Sequence, residues 1–129
     1  MEDEQLLKIL KIVRNSALAI LFILCILLIC FSLFSGSEAL GGGLTGVLKN
    51  SPNSLPWILL LIILIIARKR NVLGGFLILI FGVGITYFFN FMGQNFFLTT
   101  FIVCLLIILL GILVLFTGAT IAKNNNSDS

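Results

Sequence analysis

The chain has 129 residues, of which 60% are hydrophobic and 10% are charged, and its formal net charge is +3. Soluble domains are about half apolar and about a quarter charged, so this chain, with a mean hydropathy of +1.23, carries more apolar surface than a small soluble globule can bury. The cations stand at the ends of apolar runs rather than along a polar face, which argues against nucleic-acid binding. We therefore expect the lipid bilayer as the main partner and no nucleic acid.

Four uncharged apolar runs follow one another along the chain, at 16–34, 55–67, 72–92 and 96–122. A membrane-spanning helix needs about 20 residues, and the second run reaches that length only when preceding residues are included. Ser51-Pro52 and Ser54-Leu55-Pro56 are both typical of a helix start. Because the runs are continuous rather than alternating, helices are favoured over strands. The sequence predicts a single all-α membrane domain, 1–129, with spans at approximately 13–34, 53–68, 72–92 and 96–122.

The distribution of Lys and Arg predicts the orientation of these spans. Three adjacent cations between two apolar runs mark a turn, because each would cost about 2.5–3.5 kcal/mol at the bilayer centre. With four spans, seven cations fall on one side and only Lys49 on the other, so the positive-inside rule predicts that both termini are cytoplasmic. The chain is then a multi-pass protein of the inner (cytoplasmic) membrane. The predicted topology anchors are Lys8, Lys11, Arg14, Arg68, Lys69, Arg70 and Lys123.

The segments outside the spans are short. Residues 1–15 have amphipathic spacing and are expected to lie at the cytoplasmic headgroups. A cleavable signal peptide is the alternative for the first run, but its apolar core exceeds the usual length of about 7–15 residues. The outer loop 35–52 is rich in glycine, which opposes a helix by about 1 kcal/mol per residue, so a loop against the outer headgroups is expected. Residues 93–95 make a short turn between the last two spans, and 124–129 are predicted to be a disordered tail.

The sequence offers little for catalysis or ligand chemistry. It contains no histidine, and its three cysteines lack the spacing of a metal site. Every Lys and Arg is expected at an interface and Glu38 in the outer loop, so no charge lies in the interior of a span, whereas intramembrane charges are the usual mark of transport or catalysis. We therefore expect no enzymatic activity, no catalytic residue, no cofactor and no metal.

Polar residues gather near the outer ends of the third and fourth spans. They form a candidate polar pocket: Thr86, Tyr87, Asn90, Thr99 and Thr100. The alternative is simple interhelical hydrogen bonding, at roughly 0.6 kcal/mol per bond.

Two glycine pairs indicate helix packing. Gly75 and Gly82 are seven residues apart, as are Gly111 and Gly118. This spacing keeps small residues on one seam, where backbones approach closely. We expect both seams to face a helical neighbour, in this chain or in another.

One stretch resembles a known group of proteins. Pro56 precedes a Leu/Ile run to Ala67, which is followed by Lys69, Gly74-Gly75 and Gly82. This pattern is similar to small prokaryotic four-helix membrane proteins grouped under a domain of unknown function. That family often has Trp around the basic residue, where this chain has Arg68 and Arg70. The resemblance implies a compact membrane protein without an assigned activity.

The sequence favours a non-enzymatic accessory or assembly component that acts by helix–helix contacts with another membrane protein or with itself. The alternative is an oligomeric pore, a holin-like protein or a small transporter. A pore needs a polar lumen, for which the spans offer only scattered Thr, Ser and Asn.

Overall fold

The computed structural model describes residues 2–93 and 95–127, and within them all regular elements are helical. The α-helices are α1 (Glu2–Phe34), α2 (Gly43–Asn50), α3 (Leu55–Lys69), α4 (Asn71–Asn90) and α5 (Leu98–Ser127), with 3-10 turns at Glu38–Leu40 and Ser51–Ser54. The predicted all-α fold is confirmed for this part of the chain.

Four stretches are long and apolar enough to cross a membrane, as the sequence predicts. They are Glu2–Leu40, Gly43–Lys69, Asn71–Asn90 and Leu98–Ser127. The second stretch contains α2, a 3-10 turn and α3, so the short apolar run does gain length from the residues before it.

The four long helices stand at the corners of a square. α1 packs against α3 and α5, and α4 packs against the same two helices, whereas the diagonal pairs are not adjacent in the described residues. The centre is filled by fully buried side chains from all four helices: Leu21, Leu60, Leu64, Ile78, Ile107 and Val114. The outward faces of the same helices expose large apolar side chains along their length. Four apolar helices with apolar outer faces are typical of a membrane protein.

Glycines bring α4 and α5 together. A methyl group added at Gly75 would lie 2.5 Å from the Leu115 Cα, and one added at Gly82 would lie 2.8 Å from the Ile108 Cγ1. The glycines of α5 face back in the same way, with Gly111 against the Ile78 side chain and Gly118 against Asn71. The neighbour that each glycine seam faces is therefore the other helix of this hairpin.

The N-terminal segment differs from the sequence expectation. α1 is one continuous helix of 33 residues from Glu2, so residues 2–15 continue into the first predicted span without a break. No Gly or Pro interrupts this stretch, and three acidic residues in the first turn favour a helix N-terminus. At about 1.5 Å per residue the helix is about 50 Å long, which exceeds the hydrocarbon core of about 30 Å.

The outer connection is also more regular than expected. The sequence predicts a loop over residues 35–52, but they contain the 3-10 turn Glu38–Leu40, α2 and the start of the 3-10 turn Ser51–Ser54. Gly41, Gly42 and Gly43 have positive φ angles, so they make the bend before α2. Gly46 lies directly against the backbone of Ser37, and any Cβ there would collide with the Ser37 carbonyl oxygen. This close contact favours the helix despite the low helix propensity of glycine.

The C-terminal end of the chain is also more regular than the sequence predicts. α5 continues through Ser127, so residues 124–127 are helical where the sequence predicts a disordered tail. The Ser127 Oγ donates a hydrogen bond of 2.9 Å to the Asn124 carbonyl oxygen, and no helix breaker occurs between Gly118 and Ser127. Residues 128–129 lie outside the described residues.

Candidate functional site

Arg14 connects α1 to the C-terminal end of α3. Its side chain is only 8% exposed, and its Nη2 donates a hydrogen bond of 2.5 Å to the Ala67 carbonyl oxygen. Carbonyls in the last turn of a helix lack intrahelical partners and carry the negative end of the helix dipole. Arg14 therefore caps α3, a role that a positive-inside count does not reveal.

The predicted topology anchors share one end of the bundle. Arg14 lies against Ala67 and Gly118 lies against Asn71, which brings the N-terminal part of α1, the α3–α4 turn and the C-terminal part of α5 together. We call this the basic end; the other six anchors are exposed there, namely Lys8, Lys11, Arg68, Lys69, Arg70 and Lys123. Lys49, in α2, lies at the opposite end.

Asn50 closes the C-terminus of α1 at that opposite end. Its side chain is buried, and its Nδ2 donates to the carbonyl oxygens of Ser32 (2.8 Å), Leu33 (3.0 Å) and Ser35 (2.5 Å). Asn53 in turn donates to the Asn50 Oδ1. These carbonyls are ones that the helix leaves unpaired. Asn50 is thus a C-cap supplied from a distant part of the chain, which explains why a polar residue lies buried among apolar neighbours.

A cavity of about 770 Å³ opens beside this cap. Its walls come from α1, the start of α3, the end of α4 and the start of α5, and we call it the end cavity. Aromatic side chains make up much of the lining: Phe31, Trp57, Phe88, Phe89, Phe96 and Phe97. Neutral polar residues also line it: Ser32, Ser35, Asn53, Thr99 and Thr100. No Lys, Arg, Asp or Glu is among the described lining residues.

Trp57 forms a fixed wall of the end cavity. Its ring stacks on Phe89 with centroids 5.8 Å apart and meets Phe81 edge-on at 6.4 Å. The Cys25 thiol donates a hydrogen bond of 3.0 Å to the Trp57 carbonyl oxygen. Only 7% of the Trp57 surface is exposed, so neighbouring rings and backbone hold the indole in place.

The predicted polar pocket is not assembled as one site. Thr99 and Thr100 line the end cavity, whereas Tyr87 is 61% exposed and contributes nothing to the lining. Thr86 and Asn90 are buried and bond locally: Thr86 Oγ1 donates to the Gly82 carbonyl oxygen (2.6 Å) and Asn90 Nδ2 donates to the Thr86 carbonyl oxygen (3.0 Å). The five residues therefore fall into three environments.

The hydrogen bonding of the buried Asn90 side chain is incomplete. Its side chain is 4% exposed, and its Oδ1 has no hydrogen-bond partner in the described part of the chain. Its Nδ2 lies 4.0 Å from the Cys104 Sγ, and Cys104 lines the end cavity. Asn90 therefore sits one side chain behind the cavity wall.

Neither paired cysteines nor a metal cluster occurs in the described residues. Cys25, Cys30 and Cys104 are free thiols, and no group of three or more His, Cys, Asp or Glu side chains could hold a metal ion there. The end cavity combines apolar walls with a few polar groups, which is the usual composition of a small-molecule site.

The bundle of four long, apolar helices is typical of an α-helical membrane protein, and a family model identifies the chain more closely. The model described as Domain of unknown function (DUF7670) matches residues 4–127. The chain belongs to this family, which confirms the resemblance to proteins grouped under a domain of unknown function. No curated protein and no solved structure matches the chain.

Proposed function

We propose that this chain is a four-span protein of the inner (cytoplasmic) membrane and acts as a non-enzymatic accessory or assembly component. Both termini lie in the cytoplasm in this proposal, and helix–helix contacts within the bilayer provide the action. The clustering of seven cations at the basic end supports the orientation, because positively charged residues are retained on the cytoplasmic side.

The orientation is testable by cysteine labelling. The native cysteines are replaced with Ser, and single cysteines are placed at exposed positions of the two ends by Thr45→Cys and Asn125→Cys. A membrane-impermeant maleimide added to intact cells should label Thr45→Cys alone. Labelling of Asn125→Cys alone would overturn the orientation.

An apolar groove on the outer face of the bundle carries the proposal of helix–helix contact. The groove has a volume of about 400 Å³, lies between α3 and α4, and includes Leu59, Gly84 and Phe88 in its lining. A methyl group added at Gly84 would meet no atom within 4 Å, whereas Gly75 and Gly82 are covered by α5. Small residues let membrane helices approach closely. Gly84 therefore offers a close-approach point that the bundle itself does not use, and it suits a helix of another protein.

A pair of neighbouring substitutions tests this contact. Gly84→Leu fills the groove, while Val83→Leu places the same leucine side chain at the neighbouring exposed position. Complexes are extracted from the native membrane in a lipid-retaining polymer, and their mass and subunit composition are measured. Wild type and Val83→Leu should retain one stoichiometric membrane partner that Gly84→Leu loses. The same mass for all three proteins would contradict the proposal.

The pore alternative gives a different result in the same material. The middle of a single bundle is filled by Leu21, Leu60 and Ile107, so a pore would have to form between copies of the chain. Complexes that contain only this chain, with a conductance in liposomes that Asn90→Leu abolishes, would support a pore and contradict the accessory role.

A further inference from the structure

We propose that the end cavity binds one uncharged, single-chain amphiphile, such as a monoacylglycerol or a fatty alcohol. The chain of this ligand lies against Trp57 and Phe89, and its head lies beside Asn53 and Thr99. The inference rests on the membrane location given under the proposed function, which supplies the ligand, but it does not depend on an accessory role or on a partner.

The size and rigidity of the cavity suit a small ligand. About 770 Å³ lies within the range of about 300–1,000 Å³ for small-molecule sites. The Trp57–Phe89 stack and the Cys25 bond to the Trp57 backbone fix one wall in advance. A preformed apolar wall lowers the cost of ordering the site on binding.

The absence of charge in the lining favours an uncharged head. The described lining residues carry no formal charge, so a charged head beside them would gain no ionic partner from the cavity. Asn53, Thr99 and Thr100 instead offer amide and hydroxyl groups that both donate and accept hydrogen bonds. This set matches hydroxyl and ester groups.

At two places in the lining a polar residue precedes an apolar one by four residues. Asn53, in the 3-10 turn before α3, precedes Trp57 at the start of α3, and within α5 Thr99 precedes Val103. Both helices begin at this end of the bundle, so Asn53 and Thr99 lie nearer the helix ends, and Val103 lies about 5.4 Å deeper than Thr99, one helical turn. An amphiphile with its head at the membrane surface and its chain directed inward has the same order.

The single tryptophan provides the test, because Trp57 is the only one in the chain and lines the cavity. Purified protein is reconstituted into liposomes of unbrominated lipid, and its co-flotation with them is checked. A monoacylglycerol with a dibrominated chain is then added at low mole fraction, and Trp57 fluorescence is recorded. We expect quenching that saturates and that unbrominated monoacylglycerol reverses. Anionic lysophosphatidylglycerol should not reverse it.

A matched pair of variants locates the site. Val103→Phe places a larger side chain in the cavity lining, whereas Ile102→Phe adds a ring at an exposed position on the outer face. The apparent affinity should fall at least about tenfold in Val103→Phe, equivalent to one overpacked group, and should not change in Ile102→Phe. Circular dichroism confirms that both variants are folded.

Three outcomes would overturn the proposal. Quenching of the wild type that rises linearly with the brominated fraction would show only contact with bulk lipid. If lysophosphatidylglycerol competed as well as monoacylglycerol, the preference for an uncharged head would be contradicted. If Val103→Phe and Ile102→Phe had the same apparent affinity, the ligand would bind outside the end cavity. Because the assay uses the purified chain alone, its result does not depend on whether a partner complex exists. Failure of the chain to insert into the membrane is detected separately, as failure to co-float with the liposomes.

Discussion

The two ends of the bundle differ in how closely the helices approach each other. At the basic end, α3 and α4 are joined through Arg70 alone, Gly74 lies directly against Ala67, and Gly118 lies against Asn71. At the cavity end, the helices are joined by the longer segments 35–54 and 91–97, and the end cavity separates them.

Side-chain size accounts for this difference. Glycine and alanine at the basic end let backbones meet, whereas tryptophan and phenylalanine at the cavity end hold the helices apart. Each end is also closed by one polar side chain that caps a distant helix: Arg14 caps α3 and Asn50 caps α1. The basic end therefore contributes tight packing, and the cavity end contributes room for a ligand.

The tight packing is tested most strongly by Gly75→Leu. A Cβ at this position would lie 2.5 Å from the Leu115 Cα, so α4 and α5 would have to separate. We expect a loss of about 3 kcal/mol or more in the free energy of unfolding. Unfolding is measured by titrating bicelle-reconstituted protein with SDS and recording Trp57 fluorescence. Gly84→Leu, which meets open space, is the control; an equal loss in both variants would show that close packing does not stabilise the basic end.

The cavity end is tested by Asn50→Leu. This change removes the donor to three carbonyl oxygens at the C-terminus of α1, and unpaired carbonyls there should cost about 2 kcal/mol in total. Hydrogen exchange should quicken in α2 and the last turn of α1 while α4 and α5 keep their protection. Asn53→Leu, which loses a single bond to Asn50, should have the smaller effect. Uniform exchange across the chain would mean that the two ends unfold as one unit.

Arg14→Leu separates capping from topology. The Arg14 guanidinium bonds to the Ala67 carbonyl oxygen, and loss of one such charged bond should cost about 1–2 kcal/mol. Lys11→Leu removes the same charge from an exposed position and should leave the SDS midpoint unchanged. Cysteine labelling should show the same orientation in both variants, because six anchors remain in each. Equal SDS midpoints for Arg14→Leu and Lys11→Leu would show that Arg14 acts only as a topology anchor.

Local sequence patterns predict the four long helices and one packing face, but they do not predict α2 or the end cavity. Continuous apolar runs are enough to predict the four long helices, and seven-residue spacing is enough to find the Gly75 face, although spacing alone cannot name the helix that covers it. α2 was missed because its glycine content is a local cost, which the contact of Gly46 with Ser37 outweighs. Polarity alone predicts Thr99 as part of a pocket with Thr86, Tyr87 and Asn90, of which only Thr99 and Thr100 line the end cavity. Trp57 was missed because a cavity depends on the separation of helices that are distant in sequence.

Asn90→Leu should have the smallest effect, and it tests whether the cavity end is held together by its buried polar groups. The Asn90 Oδ1 is buried without a partner in the described residues, and the Nδ2 donates to the Thr86 carbonyl oxygen in the preceding turn and makes one long contact of 4.0 Å to the Cys104 Sγ. Replacing an unsatisfied polar group with an apolar one of similar size is close to neutral or stabilising. The SDS midpoint should therefore move by less than the equivalent of about 0.5 kcal/mol. A loss of about 2 kcal/mol would show that Asn90 stabilises this end as strongly as Asn50 does. Buried polar groups behind the cavity wall would then hold the cavity end together, as glycine contacts do at the basic end.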